Sequence, residues 1–200
     1  KMTRTINYNY YHWGPFLYRT CLEQEELNKL KKLCSKKSPL YREKLAGLIK
    51  HEHTIEVKKI FPIIYPYIES YAKAYIDYTG KNLGPKIELK AAWVNFMTKY
   101  ESNPLHSHDE DLSFVIYTKV PKELKQEHDK NEGNAAPGAI NFVQSLNNNK
   151  YLVDTHIFMP EVGDFFIFPA CLNHCVNHFQ SKGERISISG NLRVSNGKEI

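Results

Sequence analysis

The stretch IELKAAWVNFMTKY, residues 87–100, marks a change of hydrophobic pattern in this 200-residue chain. Before it, apolar residues recur at helical spacing; from Ile87 onward they alternate with a period near two, and β-branched and aromatic residues dominate. The same pattern predicts four more strands: LSFVIYTKV (112–120), AINFVQ (139–144), DFFIFP (164–169) and RISISGNLRV (185–194). Shorter extended pieces are expected around His106 and His174. The second half of the chain therefore predicts a β-sandwich or barrel.

The first 85 residues predict helices. Thr20 followed by Glu23 has the pattern of a capping box, and the apolar spacing after it predicts a helix of about four turns. A second, short helix is expected over YREKLAGLIK (41–50), and a third after Pro62 and Pro66 with Gly80 as its C-cap. We expect an α+β fold that is mainly β, with N-terminal helices packed on one side of the barrel.

The domain organisation follows from the same change of pattern. We expect one domain over residues 1–200, in which 1–85 form a helical support region and 86–195 form the β core. The segment PKELKQEHDKNEGNAAPG (121–138) is polar and rich in turn formers, so it predicts a surface loop that is long enough to act as a lid.

Composition and charge narrow the classes of function. No stretch approaches the about 20 apolar residues of a membrane span, the opening KMTRTINYNYYHWG lacks the apolar run of a signal peptide, and four cysteines are compatible with a reducing compartment. We therefore expect a cytoplasmic protein without a membrane partner. The chain has a net charge of +5, and the excess of basic residues lies near the N-terminus: residues 1–60 contain 13 Lys/Arg against 6 Asp/Glu. A nucleic-acid partner is conceivable, but the lysines of KKLCSKK favour a solvated helix face.

Histidines stand out in two places. In NPLHSHDEDLSFVIY, His106 and His108 are separated by one residue, so on an extended segment both imidazoles project from one face, about 6.6 Å apart along the chain. In GDFFIFPACLNHC, a buried strand ends at a proline and His174 follows at its mouth. The His-x-His pair alone is a weak signal of a metal site, and an imidazole of His174 at the rim of the expected barrel strengthens it.

The last predicted strand adds a charged face. Arg185, Ser187, Ser189 and Asn191 alternate with apolar residues and share one side of the strand. An unpaired guanidinium inside a small barrel is very costly, so an anionic ligand is expected opposite it. The planar fork of Arg185 and the hydroxyl of Ser187 suit one end of a dicarboxylate whose other end meets the metal.

The succession HSHDEDLSFVIY, GDFFIFPACLNH and GERISISGN resembles the non-haem iron(II), 2-oxoglutarate-dependent oxygenases, and within them a prolyl-hydroxylase-like branch of marine bacteria and phages. The resemblance covers residues 93–191, about half of the chain. It implies a double-stranded β-helix, also called a jelly roll, and Fe(II), 2-oxoglutarate and O₂ as the reactants that accompany an unidentified primary substrate. The expected activity is hydroxylation of that substrate with release of succinate and CO₂.

The resemblance also assigns residues. It implies His106 as the first metal ligand, His174 as the distal one, and Arg185 with Ser187 as the anchor for the far carboxylate of 2-oxoglutarate. Tyr117 is expected to be a second donor to that carboxylate. Asn95 would either touch the cosubstrate or close a hydrogen-bond network in the barrel.

The sequence leaves the second metal ligand open. Most such oxygenases have a carboxylate two residues after the first histidine, whereas this chain has His108. The related branch also has His-x-His, which favours His106 with His108; a register shifted to His108 with Glu110, or a role for Asp109, is the competitor. His156 and His178 are expected to be structural.

Two other classes of function compete with the oxygenase. In a non-catalytic barrel, the three histidines would hold zinc or another divalent ion for structure or sensing. Cys171 and Cys175, which flank His174, also suggest zinc, but they would leave the His-x-His pair unused, and the chain has no CxxC pair. A nucleic-acid-binding module would use the basic N-terminal half.

Overall fold

The computed structural model of the chain describes residues 14–41, 45–133, 135–145 and 153–195. Within these ranges the chain forms ten strands and three helices. In chain order they are β1 (Tyr18–Cys21), α1 (Gln24–Leu33), β2 (His51–Thr54), α2 (Val57–Thr79), β3 (Lys86–Met97), β4 (Asn103–His106), β5 (Leu112–Lys119), α3 (Lys122–Lys130), β6 (Ile140–Val143), β7 (Thr155–Phe158), β8 (Asp164–Pro169), β9 (Asn173–Val176) and β10 (Arg185–Ser195).

The strands build two antiparallel sheets. The major sheet has the order β1-β8-β5-β10-β3-β2, and the minor sheet has the order β4-β9-β6-β7. The five predicted strands and both short extended pieces are confirmed. The fold class is confirmed as well: a mainly β jelly-roll of the double-stranded β-helix type with N-terminal helices. Strands β1 and β2 lie in the major sheet, so the region 1–85 supplies two edge strands as well as helices.

The major sheet is buried on both faces because successive side chains of a strand point in opposite directions. In β8, Phe165 and Ile167 pack with helices α1 and α2 in one hydrophobic core. Phe166 and Phe168 belong to a second core, which also contains Phe142 of the minor sheet. The helices therefore cover the outer face of the major sheet, while its inner face meets the minor sheet and lines the interior in which the candidate site lies.

Helix α1 begins later than the capping-box pattern predicts. Thr20 lies in β1, and the residue before the helix, Glu23, makes no capping hydrogen bond with its side chain. The prediction of a capping box is wrong because Thr20 pairs with Phe165 in the major sheet. The helix predicted over 41–50 is also wrong for residues 45–50, which are not helical; residues 42–44 lie outside the described residues.

Helix α2 begins at Val57, before both prolines, and not after them. A proline inside a helix costs about 3 kcal/mol because it removes a backbone donor and crowds the preceding turn. The helix nevertheless continues, because Ile60, Ile64 and Ile68 recur every four residues and are fully buried in the core beneath the major sheet. The predicted C-cap is confirmed: Gly80 is left-handed, with φ 69°, and its N–H donates to the Ile76 carbonyl at 2.7 Å.

The segment 121–138 is not a simple loop. Residues Lys122–Lys130 form α3, and Leu124 on this helix is fully buried. The sequence pattern does not reveal this helix because most of its residues are polar, and one buried apolar residue, Leu124, produces almost no periodic signal. Among the described residues, no helix is long and apolar enough to cross a membrane.

Candidate metal and cosubstrate site

Three histidines, two from strands and one from the segment that follows β4, converge at one end of the space between the sheets. His106 ends β4 and faces His174 of β9 across the minor sheet, while His108 lies two residues further along the chain. One ligand atom from each of the three side chains can be chosen so that all lie within 4.8 Å of one another. The ring centres of His106 and His174 are 4.3 Å apart. A divalent ion that prefers imidazole nitrogen could be held there.

Backbone carbonyls orient two of these rings. Nδ1 of His106 lies 2.7 Å from the Pro104 carbonyl oxygen, and Nδ1 of His174 lies 2.9 Å from that of Leu172. A carbonyl oxygen only accepts hydrogen bonds, so each Nδ1 carries the proton and the lone pair of the neutral ring is on Nε2. Such a carbonyl partner is the usual means by which proteins fix a metal-binding histidine.

Burial keeps His108 and His174 uncharged. Burial, with His106 nearby, lowers the pKa of His108 to about 4 and that of His174 to about 3. His174 is only 6% exposed. Both rings are thus neutral bases at neutral pH, which is the form that binds metals.

Polar side chains cross the inner face of the major sheet in one row. Tyr117 of β5 lies beside Ser187 of β10, which lies beside Asn95 of β3, and Asn95 lies beside Glu52 of β2. All four are buried and line the cavity onto which the three histidines open. The Asn95 amide nitrogen lies 3.4 Å from Ser187 Oγ and 3.2 Å from Ser189 Oγ, so it joins the two serines in one network.

Arg185 lies two residues before Ser187 on β10, and it is only 2% exposed. Its Nη1 donates to the Gly138 carbonyl at 2.8 Å, its Nη2 lies 2.9 Å from the Met97 sulfur, and its guanidinium carbon lies 5.4 Å from the Tyr117 ring centre. Within the described part of the chain, no carboxylate forms an ion pair with it. Burial lowers the pKa of Arg185, while the neighbouring Tyr117 raises it.

Where Arg185 and Tyr117 meet, two buried donors have no protein partner among the described residues: Arg185 Nε and the Tyr117 hydroxyl. Burial raises the pKa of Tyr117 to about 12, so the hydroxyl keeps its proton. A buried donor without an acceptor costs about 1–3 kcal/mol, and a carboxylate that enters the cavity would supply acceptors to both groups. The side chains present therefore fit a diacid such as 2-oxoglutarate beside a metal ion.

The competing metal ligands lie elsewhere. Both carboxylate oxygens of Glu110 accept from the Arg193 guanidinium, at 3.0 and 3.1 Å, and Asp109 is exposed. Cys171 is exposed, and the Cys175 sulfur lies 3.5 Å from the Asn141 amide nitrogen. Neither cysteine, nor His156 or His178, joins the histidine group found among the described residues.

Sequence reasoning missed two groups of the site. Glu52 is fully buried and lines the cavity, but its strand β2 is only four residues long and its pairing with β3 has no local signal. The carbonyl of Gly138 holds Arg185 from 47 residues away. A backbone acceptor cannot be identified from a residue type, so this contact could not have been found in the sequence.

Comparisons with solved structures agree with the fold. The chain is similar to a Pseudomonas putida prolyl-4-hydroxylase, with 14% identity, a TM-score of 0.59, and coverage of 90% of this chain and 92% of that one. It is similar to the viral collagen prolyl hydroxylase of Paramecium Bursaria Chlorella virus-1 in complex with 2OG, with 12% identity, a TM-score of 0.57, and coverage of 90% and 96%. It is also similar to HygX from Streptomyces hygroscopicus with nickel and 2-oxoglutarate bound, with 10% identity, a TM-score of 0.54, and coverage of 91% and 83%.

Sequence comparison identifies the family. No curated protein matches the chain in sequence. A family model described as "Putative 2OG-Fe(II) oxygenase" matches residues 91–191, which include all three convergent histidines and Arg185. The narrower placement in a marine and phage branch stays a prediction. The chain therefore belongs to the 2OG-Fe(II) oxygenase family, and is a dioxygenase that uses Fe(II), 2-oxoglutarate and O₂.

Proposed function

We propose that the chain hydroxylates its primary substrate at the cavity described above, with His106, His108 and His174 as the metal ligands. Arg185, Tyr117 and Ser187 then bind the far carboxylate of 2-oxoglutarate, and Asn95 positions the serine. The observation that carries this assignment is the pair of buried donors, Arg185 Nε and Tyr117 Oη, which lack a partner among the described residues at the cavity of the three imidazoles.

Fe(II), held by the three histidines, would supply the O₂ chemistry that converts 2-oxoglutarate to succinate and CO₂ and hydroxylates a C–H bond of the substrate. The protein side chains supply position. The Arg185 fork is already held by Gly138 and Met97, so it loses little freedom when a carboxylate arrives. Because the Asn95 amide donates to Ser187 Oγ, the serine proton is left to donate to the cosubstrate.

The apolar wall has a separate task. The part of the cavity wall that is apolar belongs to the hydrophobic core between the sheets. It consists of Val115, Ile140, Phe168 and Val176. They exclude water from the bound cosubstrate, which strengthens its polar contacts and limits unproductive turnover.

We also propose that the chain acts as one domain, in which residues 86–195 carry the catalytic groups and residues 1–85 support them. The pairing of β1 with β8, and of β2 with β3, supports this organisation because both early strands extend the major sheet.

The test is an anaerobic titration with Fe(II) and 2-oxoglutarate. The visible charge-transfer band of a keto acid chelated to Fe(II) is expected with the native protein, and succinate is expected once O₂ is admitted. A barrel that only stores or senses a divalent ion would bind metal but give neither signal. If the protein binds Fe(II) and the band does not appear at saturating 2-oxoglutarate, the proposed site is wrong.

A further inference from the structure

We propose that Trp93 is a positioning residue of the metal site: its indole ring packs against the His108 imidazole and holds that imidazole in the orientation that binds the metal. This inference rests on the proposed function, because it takes His108 as a metal ligand. It adds a side chain that itself binds neither the metal nor 2-oxoglutarate.

His108 differs from the other two histidines in what holds its ring. The rings of His106 and His174 each donate from Nδ1 to a backbone carbonyl oxygen. Among the described residues, none forms a hydrogen bond with the His108 ring. Its backbone is fixed, because the His108 N–H donates to the Ala170 carbonyl at 2.9 Å. The freedom that remains is rotation of the side chain, and the torsion that turns a histidine ring has only a weak preference of its own.

Trp93 lies against this ring. The ring centres of Trp93 and His108 are 5.9 Å apart and their planes are tilted by 58°, an arrangement in which aromatic rings attract one another. The other ring contacts of His108 are with His106 and His174, at 5.1 and 5.2 Å. Within the described part of the chain, Trp93 is therefore the one aromatic contact of His108 that is not itself a proposed ligand. It can hold the imidazole in place before a metal ion binds.

The position of Trp93 is itself well determined. Trp93 is 4% exposed, and in β3 it pairs with Thr54 of β2 on one side and with Ser189 of β10 on the other. The Tyr41 ring stacks on the indole, with ring centres 5.4 Å apart and planes at 25°. Among the described residues, Trp93 belongs to neither hydrophobic core, and it lines the cavity of the three imidazoles. Its contacts at the site, and not core packing, therefore account for a buried indole at this position.

Ring orientation matters because an imidazole binds a metal through a lone pair that lies in the plane of the ring. A rotation of the His108 ring would move that lone pair away from the point on which the three histidines converge. The partners that orient metal-binding side chains are worth about 10–100-fold in metal affinity. For His106 and His174 the backbone carbonyls have this role, so loss of the indole should affect His108 selectively.

The experiment is a titration of the full chain with Co(II), which binds imidazole nitrogen and reports its coordination by visible absorption. Trp93→Leu should weaken Co(II) binding about tenfold or more, whereas Trp93→Phe, which keeps an aromatic face, should retain most of the affinity. Phe114→Leu is the matched control. Phe114 is buried and lines the same cavity, but its ring contact among the described residues is with Phe165, so this variant should bind Co(II) as the wild type does.

A double-mutant cycle separates positioning of His108 from a general structural role. In a His108→Ala background, Trp93→Leu should cause no further loss of Co(II) affinity, because the ring that it positions is gone. In a His106→Ala background, it should cause the same loss as in the wild type. Equal losses in the two backgrounds, or unchanged affinity in Trp93→Leu alone, would overturn the proposal while the oxygenase site stands. If the wild type gives no Fe(II)–2-oxoglutarate band, the proposed function itself fails.

Discussion

The Arg185 guanidinium carbon lies 5.4 Å from the centre of the Tyr117 ring, on the inner face of the major sheet. The two residues come from neighbouring strands, β10 and β5, and each keeps a buried polar atom without a partner among the described residues. The pair is preorganised for a carboxylate, because neither side chain has to leave a competing ion pair to bind one.

Arg185→Lys should weaken 2-oxoglutarate binding at least tenfold, although the charge is kept. Lysine lacks the planar fork that binds a carboxylate through two parallel hydrogen bonds. The measurement is the midpoint of the charge-transfer band as a function of 2-oxoglutarate under anaerobic conditions. Fe(II) affinity, measured without the cosubstrate, should be unchanged. An unaltered midpoint in both Arg185→Lys and Arg185→Ala would show that the anchor lies elsewhere.

Tyr117→Phe should have opposite effects on stability and on binding. Without 2-oxoglutarate, the variant loses a buried hydroxyl that has no partner among the described residues, so its free energy of unfolding should be equal to or above that of the wild type. With 2-oxoglutarate, it lacks one hydrogen bond, which corresponds to about 1.5–3 kcal/mol for a bond to a charged acceptor. Urea unfolding with and without 2-oxoglutarate measures both changes in the free energy of unfolding. A large loss of stability in the free protein would contradict the assignment.

The raised pKa of Tyr117 predicts an alkaline loss of stability. Burial raises this pKa from 10 to about 12 in the folded chain. Below pH 10 the hydroxyl is protonated in both states; between pH 10 and 12 the unfolded chain releases the proton first, so stability falls as the pH rises. At pH 11 the ionisation of Tyr117 in the unfolded chain lowers the free energy of unfolding by about 1 kcal/mol. The drop in unfolding free energy from pH 9 to pH 11 should therefore be smaller in Tyr117→Phe than in the wild type, and an equal drop would show that this hydroxyl does not cause the loss.

The identity of the second metal ligand can be decided by a matched pair of variants. His108→Ala should lose most of the bound Fe(II), because it removes one of three convergent imidazoles. Glu110→Gln should retain full occupancy, because the Glu110 carboxylate pairs with Arg193, and loss of this partly exposed ion pair should cost no more than about 1 kcal/mol. Metal content after gel filtration is the measurement. Loss of Fe(II) in Glu110→Gln as well as in His108→Ala would favour the shifted register, in which His108 and Glu110 are both ligands.

Gly138→Ala should impair cosubstrate binding without touching a polar side chain. Gly138 has φ 71°, and a Cβ there would lie 2.6 Å from Cδ1 of the fully buried Leu124. The left-handed backbone alone costs a non-glycine residue about 1–3 kcal/mol. Relief of the strain would displace the carbonyl that holds Arg185, so both the melting temperature and 2-oxoglutarate affinity should fall. Gly133→Ala is the control, because the nearest described atom would lie 3.9 Å from its Cβ.

Several features of this protein were predictable from local pattern. Alternation placed Arg185 and Ser187 on one face of β10, and His-x-His placed two imidazoles together, because these relations span only a few residues. Strands β5 and β8 were predictable because short runs of β-branched and aromatic residues suit a sheet whose inner and outer faces are both buried. The resemblance carried by these short motifs covers the part of the chain that the family model matches.

The order of the strands decided the rest. Glu52 lies in the site because β2 pairs with β3. Thr20 lies in a strand, and not at a helix N-cap, because β1 pairs with β8. Helix α2 runs through two prolines because its isoleucines are buried against the major sheet. Local propensities differ by about 1 kcal/mol per residue, except for proline, whereas burial of a large apolar side chain contributes about 1.5–3 kcal/mol. Contacts between distant segments therefore overrule local preference, and those contacts exist only after the chain has folded.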